Sequence, residues 1–311
     1  MRRTLTLAAG LFLLSTAFGG LDPLTMPAGP GLRPTATLAA QRLVQQRHAY
    51  VGVTDASGAP VSGLGPADFL VRENDMAREV VTVGQAPLPS HMVILVDDAR
   101  LGPLVIEARD ALRKFVAGMG MQPAPPQMAL MLLADRPSIV VNFTASDIAI
   151  DRSLARLVPR PDSGSWLLDG VIDAAKALKK AKATRPAVVA LVNDSTPEFS
   201  DVLHPRVADA LKEIGASLWT VELQTQAPPQ NLPARERAAL VGDVTGWSGG
   251  INRTVLSPQG LVKAFADISA AITGRYDVTY GSPESMIPPS KLAVELRDKT
   301  LRLTSPRWPT P

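Results

Sequence analysis

The spacing of hydrophobic and polar residues changes several times along the chain. Between residues 49 and 86, short segments alternate apolar and polar positions around turn-forming residues, an arrangement that predicts a small β region. Between residues 91 and 274, continuous apolar runs alternate with segments of helical spacing. Buried parallel strands have continuous apolar sequences and are joined through helices. This part therefore predicts an α/β fold with a doubly wound, mostly parallel sheet covered on both faces.

The end of the chain returns to β spacing. Apolar and polar residues alternate at 276–280 and again at 292–296, and the polar stretch 297–300 separates the latter from a short apolar segment at 301–303. The last two segments predict a hairpin. Because domain termini often lie close together, we expect the tail strands to fold back onto residues 48–86 as one flanking β unit.

The first residues have the pattern of an export signal. Arg2 and Arg3 precede an apolar stretch at 5–18, which small residues follow. This arrangement is typical of a secretory signal peptide, and 14 apolar residues are few for a bilayer span. An uncleaved anchor and a twin-arginine signal are the alternatives. No later apolar run approaches 20 residues, so we expect an exported chain, periplasmic or extracellular in a bacterial envelope, with no transmembrane segment after signal removal.

The predicted organisation follows from these patterns. It comprises a signal peptide (1–20), a linker rich in Pro, Gly, Ala and Thr (21–47), a β region (48–87), the α/β domain (88–275) and a C-terminal β segment packing with the first β region (276–307).

Composition excludes several classes of protein. The 311 residues are 46% hydrophobic, enough for a sizeable core, and include no cysteine, which excludes disulfides, a Cys nucleophile and Cys-ligated zinc. The pI of 9.3 reflects five Arg against one Asp in residues 1–47, whereas the rest of the chain is nearly neutral. We therefore expect no nucleic-acid partner, since such proteins carry a basic face on the folded domain.

Two aspartates occupy positions suited to chemistry. Asp97 and Asp194 each follow a buried-type apolar run, and Ser165 lies in the turn before a predicted helix. Ligands of open α/β sheets bind at the carboxyl ends of the strands, and oxygen ligands of this kind suit Mg²⁺, Mn²⁺ or Ca²⁺. The alternative is that both aspartates only cap helices or loops.

The chain contains, in this order, the segments VGVTDASGAPVSGLGPADFLVR (51–72), MVILVD (92–97), GSWLLDGVIDA (164–174), VVALVNDS (188–195), VTGWSGG (244–250) and the closing segment 276–280. In this order they resemble the von Willebrand factor type A (vWA) domain, and more narrowly the exported bacterial vWA-related proteins. The resemblance covers about residues 49–307 and implies a Rossmann-like vWA fold.

The resemblance also implies a metal-ion-dependent adhesion site. Asp97 matches the first Asp of that motif, Ser165 its Thr and Asp194 its second Asp, whereas Ala99 and Leu101 stand where the family has two serines. Neither side chain has an oxygen, and Mg²⁺ needs a near-octahedral oxygen set. We therefore expect a degenerate site with no cofactor, or with Mg²⁺ or another divalent cation bound only weakly.

The expected function is non-enzymatic binding of a protein partner at the rim of this crevice. The rim would consist of Asp97, Ala99, Arg100, Ser165 and Asp194, with Arg100 supplying a positive charge beside the missing serines. No Gly-x-Ser-x-Gly elbow, Walker motif or dinucleotide glycine pattern is present. The alternative is an exported metal-dependent hydrolase that uses Asp97 and Asp98 in the same crevice.

Overall fold

The computed structural model describes residues 44–224, 230–285 and 287–310. The predicted signal peptide and residues 21–43 of the predicted linker lie outside these residues. The strands are β1 (Val44–Thr54), β2 (Phe69–Glu73), β3 (Met76–Arg78), β4 (Val80–Gln85), β5 (His91–Val96), β6 (Gln127–Leu132), β7 (Ser138–Thr144), β8 (Ala187–Asn193), β9 (Ser217–Leu223), β10 (Asn252–Val255), β11 (Tyr276–Pro283), β12 (Leu292–Leu296) and β13 (Arg302–Thr304).

The helices cover the sheet described below on both of its faces. They are α1 (Val105–Gly120), α2 (Asp147–Leu154), α3 (Leu167–Lys180), α4 (His204–Ile214), α5 (Leu232–Ala239), α6 (Thr245–Trp247) and α7 (Leu261–Thr273), and a π-helical turn at Leu240–Val244 joins α5 to α6. Within the described ranges, no helix has the length and apolar character needed to cross a membrane.

The central sheet has six strands in the order β10-β9-β8-β5-β6-β7, and all neighbouring pairs except β6–β7 are parallel. Every residue of β8 is buried, as expected for a strand between two helical layers. Along β5, Met92 and Ile94 pack with α1 and α7, whereas Val93 and Leu95 pack with α3 and α4. The predicted doubly wound α/β class is therefore confirmed.

The edge strand β7 runs antiparallel to β6. Only residues 133–137 connect the two strands. A parallel connection needs a crossover of a dozen or more residues, so a short link forces the antiparallel direction. At the edge, Ile139 and Val140 are 41% and 44% exposed.

The flanking β unit is built from both ends of the described chain. β1 pairs antiparallel with β11, from Val44 opposite Pro283 to Val51 opposite Tyr276, in a sheet of order β13-β1-β11-β4. The predicted flanking unit is thus present. The strand nevertheless begins at Val44, inside the stretch 21–47 predicted as a linker, because backbone pairing with β11 orders these residues despite their polar sequence.

The predicted tail hairpin is wrong. β12 pairs with β2, and β13 pairs with β1, so the two segments belong to different sheets. The apolar face of β12, formed by Leu292, Val294 and Leu296, is buried in a cluster with Phe69 and Val71. Burial against an existing apolar face outweighs the local turn signal, because strand pairing depends on context more than on propensity.

A buried carboxylate joins the two β sheets of the flanking unit. Glu73, at the end of β2, is 1% exposed and lies 3.2 Å from the Nε of Arg78 on β3. It accepts hydrogen bonds from the hydroxyls of Tyr280 (3.2 Å) and Ser282 (2.6 Å) on β11. This charge is therefore fully hydrogen-bonded, as a buried charge must be.

We expect Glu73→Ala to lower the free energy of unfolding by about 3–5 kcal/mol, because it leaves a partly buried guanidinium and two hydroxyls without their acceptor. Urea unfolding measures this change. The matched control is Glu79→Ala, an exposed glutamate in the same region, expected to stay within about 0.5 kcal/mol. Equal effects of the two substitutions would contradict the role given to Glu73.

Candidate functional site

The crevice lies at the carboxyl ends of β5 and β8, which are neighbours in the sheet. Asp97 directly follows β5, and Asp194 directly follows β8. Ser165 reaches the same place from the turn before α3, where backbone bridges connect it to Ala134 and Glu198. The structure thus brings the three residues predicted from sequence to one edge of the sheet, and it adds residues that the sequence did not indicate.

Asp97 is completely buried at the floor of the crevice. Its Oδ2 accepts a hydrogen bond from the backbone N–H of Asn193 (3.3 Å), and its Oδ1 has no hydrogen-bond partner. Burial, and next the carboxylate of Glu198, raise the pKa of Asp97 to about 8; Arg237, the Asn193 N–H and the nearby Ser165 hydroxyl oppose the rise. The Ser165 Oγ makes no hydrogen bond of normal geometry. Because its pKa is about 8, the Asp97 carboxyl holds a proton near neutral pH.

A second buried carboxylate, Glu198, lies beside Asp97. Its Oε1 accepts hydrogen bonds from the backbone N–H groups of Leu167 (3.2 Å) and Ser200 (3.1 Å), and its Oε2 has no partner. Burial raises the pKa of Glu198 to about 7, although Ser200 and Arg237 oppose the rise. The Glu198 side chain therefore fixes the start of α3 by accepting the backbone N–H of Leu167. It also adds a second titratable group to the crevice.

The guanidinium of Arg237 supplies the positive charge of the crevice. Arg237 is 1% exposed, and its Nη2 lies 3.0 Å from Asp194 Oδ1 and 2.6 Å from the Asp194 carbonyl oxygen. Its Nη1 donates to the carbonyl oxygen of Thr196. The Asn231 side chain caps α5 by accepting the Ala234 N–H (3.0 Å) and so orients the helix that carries Arg237.

These contacts leave a donor set that does not fit the divalent cation of the vWA family. Ala99 and Leu101 are fully buried and have no side-chain oxygen, and Asp194 already binds Arg237 and accepts from Gln224 (3.4 Å). Mg²⁺ would need a near-octahedral oxygen set beside a permanent cation. Over the described ranges, no group of three or more His, Cys, Asp or Glu is placed to hold a metal ion.

Asp98 does not contribute to this crevice. Its Oδ1 accepts hydrogen bonds from the backbone N–H groups of Leu133 (3.2 Å) and Ala134 (2.9 Å), and its Oδ2 lies 3.3 Å from Arg160 Nε. The Asp97 carboxylate accepts instead from the Asn193 N–H, because successive side chains of an extended segment point in opposite directions. Asp98 instead anchors the loop after β6.

The predicted contact surface needs correction, because most of its residues are buried. Asp97, Ala99 and Ser165 are fully buried and Asp194 is 5% exposed, since they fill the space between the loops. Of the predicted rim residues, Arg100 is exposed, and Phe199 of the β8–α4 loop is exposed close to Ser165.

Phe199 is the apolar feature of this rim. It is 50% exposed, its backbone N–H donates to the Ser165 carbonyl (2.8 Å), and its ring lies 6.4 Å from the Trp166 ring. A Cβ at Gly164 would lie 2.3 Å from the Phe199 ring, so only glycine permits this position. The rim therefore presents an ordered aromatic side chain to solvent.

Three residues of the site are absent from the sequence-based predictions: Glu198, Phe199 and Arg237. Arg237 carries a sequence signal, because it lies at helical spacing between the apolar residues Ala234 and Val241, where a buried side chain is expected. Glu198 and Phe199 lie in an irregular loop whose sequence carries no periodicity, so no pattern indicates their positions.

Solved structures share this architecture. Proximal thread matrix protein 1 of the mussel byssus superposes with a TM-score of 0.50 and 11% identity over 65% of this chain and 51% of that chain. A vWA protein from Catenulispora acidiphila gives 0.48 and 11% over 85% and 74%. The vWF domain of the type V pili tip protein Mfa5 from Porphyromonas gingivalis gives 0.46 and 13% over 60% and 96%. No protein-family model and no curated protein matches the sequence.

These likenesses concern the fold. The solved structures include vWA domains, some of them bacterial. This chain spans about half of the mussel protein's length. At 11% identity and a TM-score of 0.50, the likeness to the mussel protein concerns the fold alone and leaves function to the residues of the crevice.

We expect Asp97→Asn to raise the free energy of unfolding at pH 8.5 by about 1.4 kcal/mol or more, the equivalent of one pKa unit. The folded chain keeps a proton on Asp97 that the unfolded chain releases above pH 3.8, so wild-type stability falls as pH rises toward 8. Asparagine is neutral and keeps an oxygen for the Asn193 N–H. The gain shrinks at pH 5.5, where Asp97 is protonated in the folded state.

Thermal and urea unfolding at the two pH values measure this difference. The exposed Asp162→Asn is the matched control and should show no pH-dependent gain. A loss of stability in Asp97→Asn at both pH values, as expected after removal of a metal ligand, would contradict the assignment.

Proposed function

We propose that this chain is an exported, non-enzymatic protein-binding module of vWA type whose adhesion site is degenerate and independent of metal. The observation that carries the proposal is the buried contact between Arg237 and Asp194. A permanent guanidinium there neutralises the residue that the family resemblance assigns to an ion. A partner carboxylate would then have no bound metal to coordinate, so recognition falls to the rim.

Two exposed groups support binding at the rim. Phe199 offers an ordered apolar ring, and Arg100 offers an exposed cation on the adjoining loop. The two loops are in contact, since the Thr196 hydroxyl donates to the Ala99 carbonyl (3.2 Å). Aromatic and arginine side chains dominate the binding energy of protein interfaces. The partner class that fits is a protein surface with an apolar pocket next to an acidic group.

Export is supported by the sequence alone, through the charged start, the apolar stretch and the small residues of 1–20. The chain would then lie in the periplasm or outside the cell. In fractionation of a bacterial host, we expect the full chain to reach the periplasm and the signal-peptide deletion to remain in the cytoplasm.

The alternative function, a metal-dependent hydrolase using Asp97 and Asp98, has less support. Asp98 is hydrogen-bonded to the loop after β6 and paired with Arg160. Two carboxylates that share no face of the crevice cannot hold one ion between them. Turnover that requires Mg²⁺ and disappears in Asp97→Asn would restore this function.

We expect neither about 1 mM Mn²⁺ nor EDTA to move the melting temperature of the wild-type chain by more than about 1 °C. A metal ion raises the melting temperature only of a folded state that binds it, and the proposed wild-type site binds none. Arg237→Met removes the internal cation and is expected to lower stability by about 3–5 kcal/mol. The same variant should gain a Mn²⁺-dependent rise in melting temperature. A metal-dependent rise in the wild type would contradict metal independence.

We expect Phe199→Ala to weaken binding to the partner at least about tenfold, as truncation of an interface anchor does, and Arg100→Ala to weaken it less. The partner is first captured from an envelope fraction on immobilised wild-type protein in the presence of EDTA. The purified pair is then measured by biolayer interferometry. The matched control is Ile148→Ala, 59% exposed on α2 away from the rim. Binding that EDTA abolishes, or that neither rim substitution changes, would overturn the proposal.

A further inference from the structure

A cavity lies at the opposite end of the central sheet from the crevice. It is lined by Arg185, just before β8, by Arg275, just after α7, and by the aromatic side chains of Tyr50, Trp219 and Trp308. Its volume is about 30 Å³, above the roughly 10–15 Å³ that one water needs. The cavity therefore has room for a small group beside two guanidinium side chains, and it belongs to no part of the crevice.

Arg275 is fixed in this cavity. It is 5% exposed, its Nη2 donates to the carbonyl oxygen of Tyr50, and its guanidinium lies 5.2 Å from the centroid of the Trp219 ring. Its Nε is buried and has no hydrogen-bond partner. The Tyr50 carbonyl and the Trp219 ring hold the Arg275 guanidinium in place. Its Nε–H therefore cannot turn toward another acceptor and stays without a partner.

Arg185 completes a pair of cations. Its guanidinium lies 4.0 Å from the centroid of the Tyr50 ring, in a cation–π contact, and its Nε and Nη1 are buried without hydrogen-bond partners. Buried N–H groups are normally hydrogen-bonded, and each one left unmet is costly. Together the two arginines line one cavity and carry three buried nitrogens without hydrogen-bond partners.

Among the described residues, no Asp or Glu lines the cavity, and no carboxylate lies within salt-bridge distance of Arg185 or Arg275. Burial lowers the pKa of Arg185, and the Tyr50 hydroxyl and Asp277 oppose the fall. Asp277 lies 2.9 Å from the Nδ1 of His48. Burial, and next the charge of Arg185, lower the pKa of Arg275 to about 9, so both side chains are cationic at neutral pH.

We propose that this cavity is a binding site for a small oxyanion, a carboxylate or a phosphate group, held by Arg185 and Arg275. The planar guanidinium matches the paired oxygens of such groups, and charge-assisted hydrogen bonds are the strongest available to it. The anion would satisfy the unmet donors and offset the repulsion between the two cations. The aromatic rings restrict the site to a small group and keep water away from the contact.

The site is independent of the proposed function, because its residues lie at the amino ends of the strands and those of the crevice lie at the carboxyl ends. Failure of one proposal leaves the other unaffected. Binding at the cavity can also be measured without knowledge of any protein partner.

Isothermal titration calorimetry tests the site on the full chain. Inorganic phosphate and acetate are titrated separately at constant ionic strength set with potassium chloride. The wild type is expected to bind at least one of them, and Arg185→Gln to weaken that binding about tenfold or more through loss of charge-assisted hydrogen bonds. The matched control is Arg152→Gln, which removes an exposed arginine on α2 and is expected to bind as the wild type does.

The separate titrations with phosphate and acetate identify the ligand chemistry. Binding of phosphate alone assigns a phosphate site, binding of acetate alone assigns a carboxylate site, and binding of both assigns a general oxyanion site. Absence of binding by the wild type, or equal binding by wild type and Arg185→Gln, overturns the proposal. Since Arg275 is buried and Arg275→Gln can fail to fold, the second variant is Arg185→Lys, which keeps the charge and should bind more tightly than Arg185→Gln.

Discussion

The loops at the carboxyl edge of the sheet depend on one buried guanidinium. Arg237 binds the Asp194 carboxylate and the carbonyl oxygens of Asp194 and Thr196, and so connects α5 to the loop that follows β8. A buried charge is tolerated only when it is paired and hydrogen-bonded, and removal of one partner leaves the other uncompensated. The position of the loop, and with it that of Glu198 and Phe199, follows from this requirement.

The same constraint explains the electrostatics of the crevice. Asp97 and Glu198 are buried close to each other, and a single guanidinium cannot neutralise both of them and Asp194. Burial raises the pKa values of Asp97 and Glu198, and Arg237, which contacts Asp194 directly, opposes the rise only in part. At neutral pH a proton offsets the charge of Asp97, whereas the Arg237 side chain offsets that of Asp194.

Charge is distributed differently at the other end of the sheet. There the buried Arg275 contacts the Trp219 ring and the Tyr50 carbonyl, and the half-buried Arg185 contacts the Tyr50 ring, rather than carboxylates. The fold therefore has an edge with excess buried acid and an edge with excess buried base. Both excesses arise where loops from several elements converge, since the strands and helices themselves bury apolar side chains on both faces of the sheet.

The spacing of apolar residues determined the α/β class, because continuous runs such as those of β5 and β8 are stable only between two helical layers. It also placed Asp97 and Asp194 at one edge, since parallel neighbouring strands end together. The partner of a tail strand and the contacts of Arg237 have no local signal. They were decided by tertiary structure, because the free energy of burying an apolar face or a charge depends on groups distant in sequence.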